Sequence, residues 1–307
     1  MTKVFIDGSA GTTGLRIRER LESRRDISLI TLTEELRKDA EARREALHAA
    51  DIAFLCLPDA AAIEAVALAE GRNTVISDTS TAHRTDPAWT YGFAELGYRE
   101  RIGSARLIAN PGCHASGFLS LVKPLTEKGI IDKSAVLSCF SLTGYSGGGK
   151  KMIAEYEGEE RSVLLDAPRM YGITQGHKHL PEMCAVTGLV NKPLFCPIVG
   201  DFYSGMEVCV TLDAASINGS ADDIRKVYSE YYKNGLVKYV DAADEGGFIA
   251  ANAMSGRDDM LVTVCGNGER IALVSLFDNL GKGASGAAIQ NMNIAMHASE
   301  AEGLVIG

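Results

Sequence analysis

The chain has 307 residues, 46% of them apolar and 23% charged, with a formal net charge of −9 at pH 7. That length exceeds one ordinary hydrophobic core, so two domains are expected, and the composition is that of a soluble globular protein. The net negative charge argues against non-specific nucleic-acid binding, which needs a basic surface, and no apolar run reaches the roughly 18 residues of a membrane-spanning helix.

In chain order, KVFID reads as a strand entering a glycine turn, and Thr12 to Ser23 as a helix with Leu15, Ile17 and Leu21 among its apolar positions. No basic flank leads into an apolar run near the start, so no signal peptide is read and a cytoplasmic protein is expected. ISLITL is a second strand, and Glu34 to Ala50, rich in Glu, Arg and Ala, a helix. DIAFLCLP is a third strand, Asp59 to Glu70 a helix, and NTVISD a fourth strand. Continuous apolar strands alternating with helices predict a doubly wound, Rossmann-type parallel sheet covered on both faces.

Beyond residue 110 the texture changes. A helix from Ser116 to Lys128 leads into SAVLSCFSLTGYSGGGK, a strand running into a glycine-rich loop. The strands FCPIVGDF, MEVCVTL, MLVTVCG and RIALVSLF follow with fewer helices, of which Ala221 to Lys233 is the clearest. This predicts a second, α+β domain built on a mixed sheet. The tail GASGAAIQNMNIAMHASEA reads as a helix rich in small residues, expected to pack back on the first domain. The domains are placed at residues 1–112 plus 282–307 and at 113–281.

Five segments carry candidate chemistry. GSAGTTG, with Gly8, Ser9, Gly11, Thr12, Thr13 and Gly14, follows a strand and opens a helix, so backbone N–H groups and a helix N-terminus can face a dinucleotide pyrophosphate. Thr33, Glu34 and Glu35 followed by Arg37 and Lys38 leave NAD and NADP undecided, because an acidic residue favours a free ribose hydroxyl and basic ones a 2′-phosphate. In SDTSTAHRT, Arg84 lies after a strand end that should face the ligand crevice, although its spacing alone also suits an ordinary surface arginine.

The seven cysteines are dispersed without CxxC pairs, which suits reduced thiols, and several lie in strand-like runs where they read as packing. Cys113 in NPGCHASG differs: it follows a Pro-Gly turn near a helix start, where the dipole lowers a thiol pKa. GHKHLPEM supplies His177, His179 and Glu182, an arrangement that suits acid–base service to a thiol better than a metal site, since no further ligand motif accompanies it. His114 reads as pocket lining. YSGGGKK can cradle an anion with backbone N–H groups and Lys150, and its spacing does not match a nucleoside-triphosphate loop.

GSAGTTG, SDTSTAHR, NPGCHAS, SGGGK, GHKHLPE and FDNLGKGASGAAIQNMN, in this order along essentially the whole chain, resemble the N-acetyl-γ-glutamyl-phosphate reductases of shorter type. That family is similar to aspartate-semialdehyde and, more distantly, glyceraldehyde-3-phosphate dehydrogenases. The resemblance implies reduction of a small-molecule acyl phosphate by NADPH through a thioester on Cys113, with either His177 or His179 moving the proton and His179 slightly favoured. It also implies Arg84 at the substrate phosphate, Asn279 and Gly281 near the nicotinamide, no metal, and a homodimer or homotetramer. NPGCHAS departs from the commoner NPGCYPT from His114 onward, which touches the pocket lining more than the thiol. Aspartyl or aminoadipyl phosphate as substrate, a non-catalytic nucleotide-binding redox sensor and a zinc hydrolase are the alternatives.

Overall fold

The computed structural model describes all 307 residues. Two compact units emerge: Met1–Pro111 with Ala284–Leu304, and Gly112–Gly283 with Val305–Gly307. No helix is long and apolar enough to cross a membrane.

The first unit runs β1 (Thr2–Asp7), α1 (Thr12–Glu22), β2 (Ile27–Ile30), α2 (Ala40–Ala49), β3 (Ile52–Leu55), α3 (Asp59–Leu68), β4 (Val75–Asp78), β5 (Thr90–Tyr91), α4 (Arg99–Ser104) and β6 (Leu107–Ala109). The sheet order is β2-β1-β3-β4-β6-β5, and every pairing is parallel. Alternation along β1 divides the core. Val4 and Ile6 pack with Ile17 and Leu21 of α1 and with Ala288, Ile289 and Met292 of the C-terminal helix Gly286–Ala295. Phe5 faces the other way, towards Ala46 and Leu47 of α2 and Ala62 and Ala65 of α3. Burial on both faces explains why these strands read as unbroken apolar runs. The helix expected over Glu34–Ala50 is broken: Asp39 is extended and its carboxylate caps Ala42 N–H, so α2 starts at Ala40 after a short 3₁₀ turn.

The second unit carries α5 (Cys113–Glu127), β7 (Ser138–Gly144), α6 (Gly149–Glu157), β8 (Arg169–Met170), α7 (Leu180–Thr187), β9 (Leu194–Gly200), β10 (Met206–Asp213), α8 (Ala221–Tyr231), β11 (Val237–Tyr239), β12 (Met260–Gly266) and β13 (Arg270–Phe277). Its sheet, β11-β12-β13-β10-β7-β9-β8, is mixed, with parallel pairs only at β11–β12 and β7–β9. The glycine-rich stretch read as a loop folds as a 3₁₀ turn over Tyr145–Gly148 and then α6.

Helix α5 is buried along nearly its whole length. Pro124 lies inside it and supplies no N–H to the carbonyl of Ser120. Tyr232, just past α8, donates its hydroxyl to that carbonyl at 2.5 Å, and Tyr228 donates to Leu121 O at 2.5 Å. Tyr232 thus satisfies the carbonyl that Pro124 leaves without its helical donor.

Candidate active site

The nucleotide end of the first unit is built around glycines. Gly8 has φ +88°, and a Cβ there would stand 2.2 Å from Cys56 O. A Cβ on Gly14 would stand 2.5 Å from Gly8 O, so both positions admit only glycine at this separation of turn, strand and helix. Gly11 is the N-cap of α1, no side chain caps it, and no acidic residue stands in the first turn, where Thr12 and Thr13 sit. Ser9 and Gly8 open into a groove that continues along Thr31 and Leu32 to Arg18 and Arg37. Turn amides, a helix N-terminus and two guanidiniums form a cradle that suits a dinucleotide with an extra phosphate. Arg18 was not singled out by sequence, and Arg37 only as part of an undecided mixture. Asp7, also lining the groove, is buried against Arg43, with Arg43 Nε 3.0 Å from its Oδ2. Burial raises the Asp7 pKa even against the lowering effect of that guanidinium.

Arg84, after β4, donates Nε to Asn110 O and Nη2 to Thr79 O, each at 2.9 Å. It therefore fixes the chain just before Pro111. Beside it, His83 Nδ1 is 2.7 Å from Asp78 Oδ2, and its ring stacks on Trp89.

In the second unit Cys113 is the first residue of α5, three residues earlier than the sequence suggested, with Gly112 as N-cap. No side chain of the turn itself caps the helix. Glu182, from the GHKHLPEM segment, accepts Gly112 N–H at 2.9 Å, which ties together two motifs 70 residues apart. Glu182 is 1% exposed and His179, the N-cap of α7, 5%. Ring centroids of His177 and His179 are 4.7 Å apart, and those of His114 and His179 5.6 Å. His179 N–H donates to His177 Nδ1 at 3.2 Å. Burial, then the charge of Lys178, lowers the His177 pKa, so this imidazole is neutral at pH 7. A neutral ring can accept a proton.

Asn279 lies deep in the same unit: its Nδ2 donates to Ser146 Oγ at 3.0 Å and its Oδ1 accepts Gly205 N–H at 2.9 Å. It thereby holds the SGGGK turn against the start of β10. The neighbouring Asp278 accepts Leu280 N–H, Gly281 N–H and the Ser204 hydroxyl, and a Cβ on Gly281 would stand 1.9 Å from Arg257 O. A Cβ on Gly283 would come 3.0 Å from Cys113 Cβ, so this glycine turn passes directly over the cysteine. Lys150 is exposed in the first turn of α6. No three or more His, Cys, Asp or Glu side chains are arranged to hold a metal ion.

Family models match both units: the semialdehyde dehydrogenase NAD-binding domain over residues 3–105 and the semialdehyde dehydrogenase dimerisation domain over residues 113–279. N-acetyl-gamma-glutamyl-phosphate reductase 2 of Nostoc sp. is 42% identical, covering 98% of this chain and 99% of the relative. N-acetyl-gamma-glutamyl-phosphate reductase of Brucella anthropi is 46% identical, covering 96% and 98%. The chain belongs to the N-acetyl-γ-glutamyl-phosphate reductase family. Sequence motifs and full-length similarity thus name the same family of oxidoreductases. Among solved structures, aspartate semialdehyde dehydrogenase II of Vibrio cholerae in complex with ASA superposes with a TM-score of 0.71 at 15% identity, covering 97% of this chain and 98% of that one. Aspartate semialdehyde dehydrogenase of Francisella tularensis gives 0.72 at 15% identity, covering 96% and 100%. At that identity the likeness is one of fold, and it agrees with this chain's pairing of a parallel with a mixed sheet.

Proposed function

We propose that the protein reduces N-acetyl-γ-glutamyl phosphate to N-acetylglutamate 5-semialdehyde with NADPH, releasing phosphate, in arginine biosynthesis. The observation that carries this reading is the hydrogen bond from Gly112 N–H to Glu182, which fixes the cysteine turn beside the histidine segment. NADPH, when bound, supplies the hydride; Gly8, Ser9, Gly11, Thr12, Thr13 and Gly14 would hold its pyrophosphate and Arg37 its 2′-phosphate.

Cys113 sulfur attacks the acyl carbon, and the bond from that carbon to the phosphate oxygen breaks as phosphate leaves. Arg84, already oriented by two backbone carbonyls, and Lys150 are proposed to balance the phosphate charge. The Cys113 thioester carbonyl accepts hydride more readily than a carboxylate would. Collapse of the resulting thiohemiacetal breaks the carbon–sulfur bond and returns the cysteine thiolate. His179 or His177 moves the proton in these steps. Asn279, through the SGGGK turn, and Gly281 shape the wall of the proposed nicotinamide site.

We further propose a cytoplasmic homodimer or homotetramer. The outer face of the second sheet supports it: Phe140 is 48% and Leu194 55% exposed on adjacent strands β7 and β9, with half-buried Cys196 and Cys209 in register with Phe140. Such an apolar row suits packing against a second copy. Sedimentation gives the assembly size directly, and a monomer at micromolar concentration would overturn this part.

The test of the chemistry runs in reverse, with the semialdehyde, phosphate and NADP⁺. Phosphate-dependent NADPH formation that Cys113→Ser abolishes is the expected result. Turnover close to normal in that variant would sink the thioester scheme.

A further inference from the structure

One buried polar chain beside the cysteine has no part in the scheme above. Ser141 of β7 is 0% exposed, and His114, the second residue of α5, is 3% exposed. Ser141 Oγ lies 2.6 Å from His114 Nδ1, and His114 Nε2 lies 2.5 Å from the hydroxyl of Tyr171, which directly follows β8. The His114 ring is boxed edge-on by His177 at 5.5 Å and Phe195 at 5.4 Å, which fixes its plane.

Counting hydrogens gives this chain a direction. Burial and the neighbouring His177 hold the His114 pKa down at about 3, so the ring is neutral at pH 7 and carries one N–H and one lone pair. Were the proton on Nδ1, the ring would donate to Ser141, and the hydrogen of this fully buried serine would lose the acceptor that Nδ1 otherwise supplies. With the proton on Nε2, Ser141 donates to Nδ1 and Nε2–H donates to the Tyr171 oxygen. Every buried hydrogen is then used, and the Tyr171 O–H ends the chain, directed away from His114. His114 directly follows Cys113 at the start of α5, so the phenol bonded to its Nε2 is tied to the residue next to the cysteine. Burial, with a thiolate at Cys113 adding to it, raises the Tyr171 pKa, so the phenol keeps its proton.

Resting on the acyl-phosphate reading of Cys113, we propose that Tyr171 donates a hydrogen bond to the substrate oxygen on the carbon that Cys113 attacks, and that His114, oriented by Ser141, is the positioning residue that turns the phenol towards it. This gives a function to the histidine that stands where the commoner motif of the family has tyrosine.

Two measurements test it. Ring ¹⁵N shifts of His114 in the unsubstituted protein at pH 7, assigned by difference from His114→Gln, are expected to show protonated Nε2 and unprotonated Nδ1; the opposite tautomer or an imidazolium overturns the proposal. In the reverse assay, Tyr171→Phe is expected to lower kcat about 100-fold, as loss of one oxyanion donor does, while KM for NADP⁺ is unchanged. Adding His114→Gln to Tyr171→Phe should then cost nothing further, because both act through one hydroxyl; a second, fully additive loss overturns the positioning role. The tautomer needs no turnover, so an active Cys113→Ser enzyme would sink the thioester reading without being mistaken for failure here.

Discussion

Glu182 accepts the backbone N–H of Gly112 at 2.9 Å, and Gly112 is the N-cap of the helix that begins with Cys113. A carboxylate from a distant motif therefore satisfies the N–H of the N-cap itself, as the Glu of a capping box does from within the helix. Glu182→Ala leaves a buried N–H without that acceptor, a loss of about 1–3 kcal/mol. The expected outcome is a lowered melting temperature and a kcat reduced at least 10-fold, with Glu182→Gln, which keeps an acceptor oxygen, recovering most of both. Thermal unfolding together with the reverse assay checks it.

The groove beyond Gly8 ends at Thr31, Leu32, Arg18 and Arg37, without a carboxylate at the end of β2. Arg18 is paired with Glu22 at 2.7 Å, which leaves Arg37 as the better placed guanidinium for a 2′-phosphate. Arg37→Asp is expected to raise KM for NADPH about 10- to 100-fold, the loss of one charge-assisted contact, and to leave NADH use within a factor of a few. Side-by-side kinetics with the two cofactors measure the change in preference.

How much of this was legible in sequence depended on how local the cause was. β1 and β3 are legible because burial on both faces makes their inner residues apolar, and GSAGTTG is legible as a tight glycine turn because a Cβ there would meet Cys56 O or Gly8 O. The start of α5 was placed three residues late because its N-cap is a glycine and its stabilising partner, Glu182, is distant in sequence. Helix α6 is not legible because Gly147 and Gly148 precede it and Gly149 opens it, and glycine favours loops. The break at Asp39 lay within a Glu- and Ala-rich stretch whose composition favours continuous helix. The contacts of His114 with Ser141 and Tyr171 join a helix, a strand and a loop, so no spacing rule could have revealed them.

Acid should destabilise the protein through the same histidine. The His114 pKa is about 3 in the folded chain and about 6.5 when unfolded, so below pH 6.5 the unfolded state takes up a proton that the native state refuses. Stability is therefore whole above that pH and falls as pH drops towards 3; between pH 7 and pH 5 the loss from this group is about 2 kcal/mol. His177, also lowered by burial, adds to it with the same sign. Urea unfolding at pH 7 and pH 5 should show a smaller difference for His114→Gln than for the unsubstituted protein. An equal difference for the two would rule out a buried neutral His114.

Gly117, one turn after Cys113, lets α5 lie against the sheet. A Cβ there would stand 2.3 Å from Val208 Cγ2 and 2.9 Å from Phe277 Cε1, on the neighbouring strands β10 and β13. Gly117→Ala therefore forces the helix or the sheet to give, at a cost of about 1–3 kcal/mol. The first turn of α5 moves with the helix, and a shift near 1 Å at a reacting atom costs roughly 100-fold in rate. Lower thermal stability and a kcat loss larger than the stability change explains are both expected. Val208→Ala in the same chain removes the nearest methyl and should restore part of each, whereas Val208→Ala alone should only open a cavity; simple additivity of the two substitutions would show that this contact does not set the position of the cysteine.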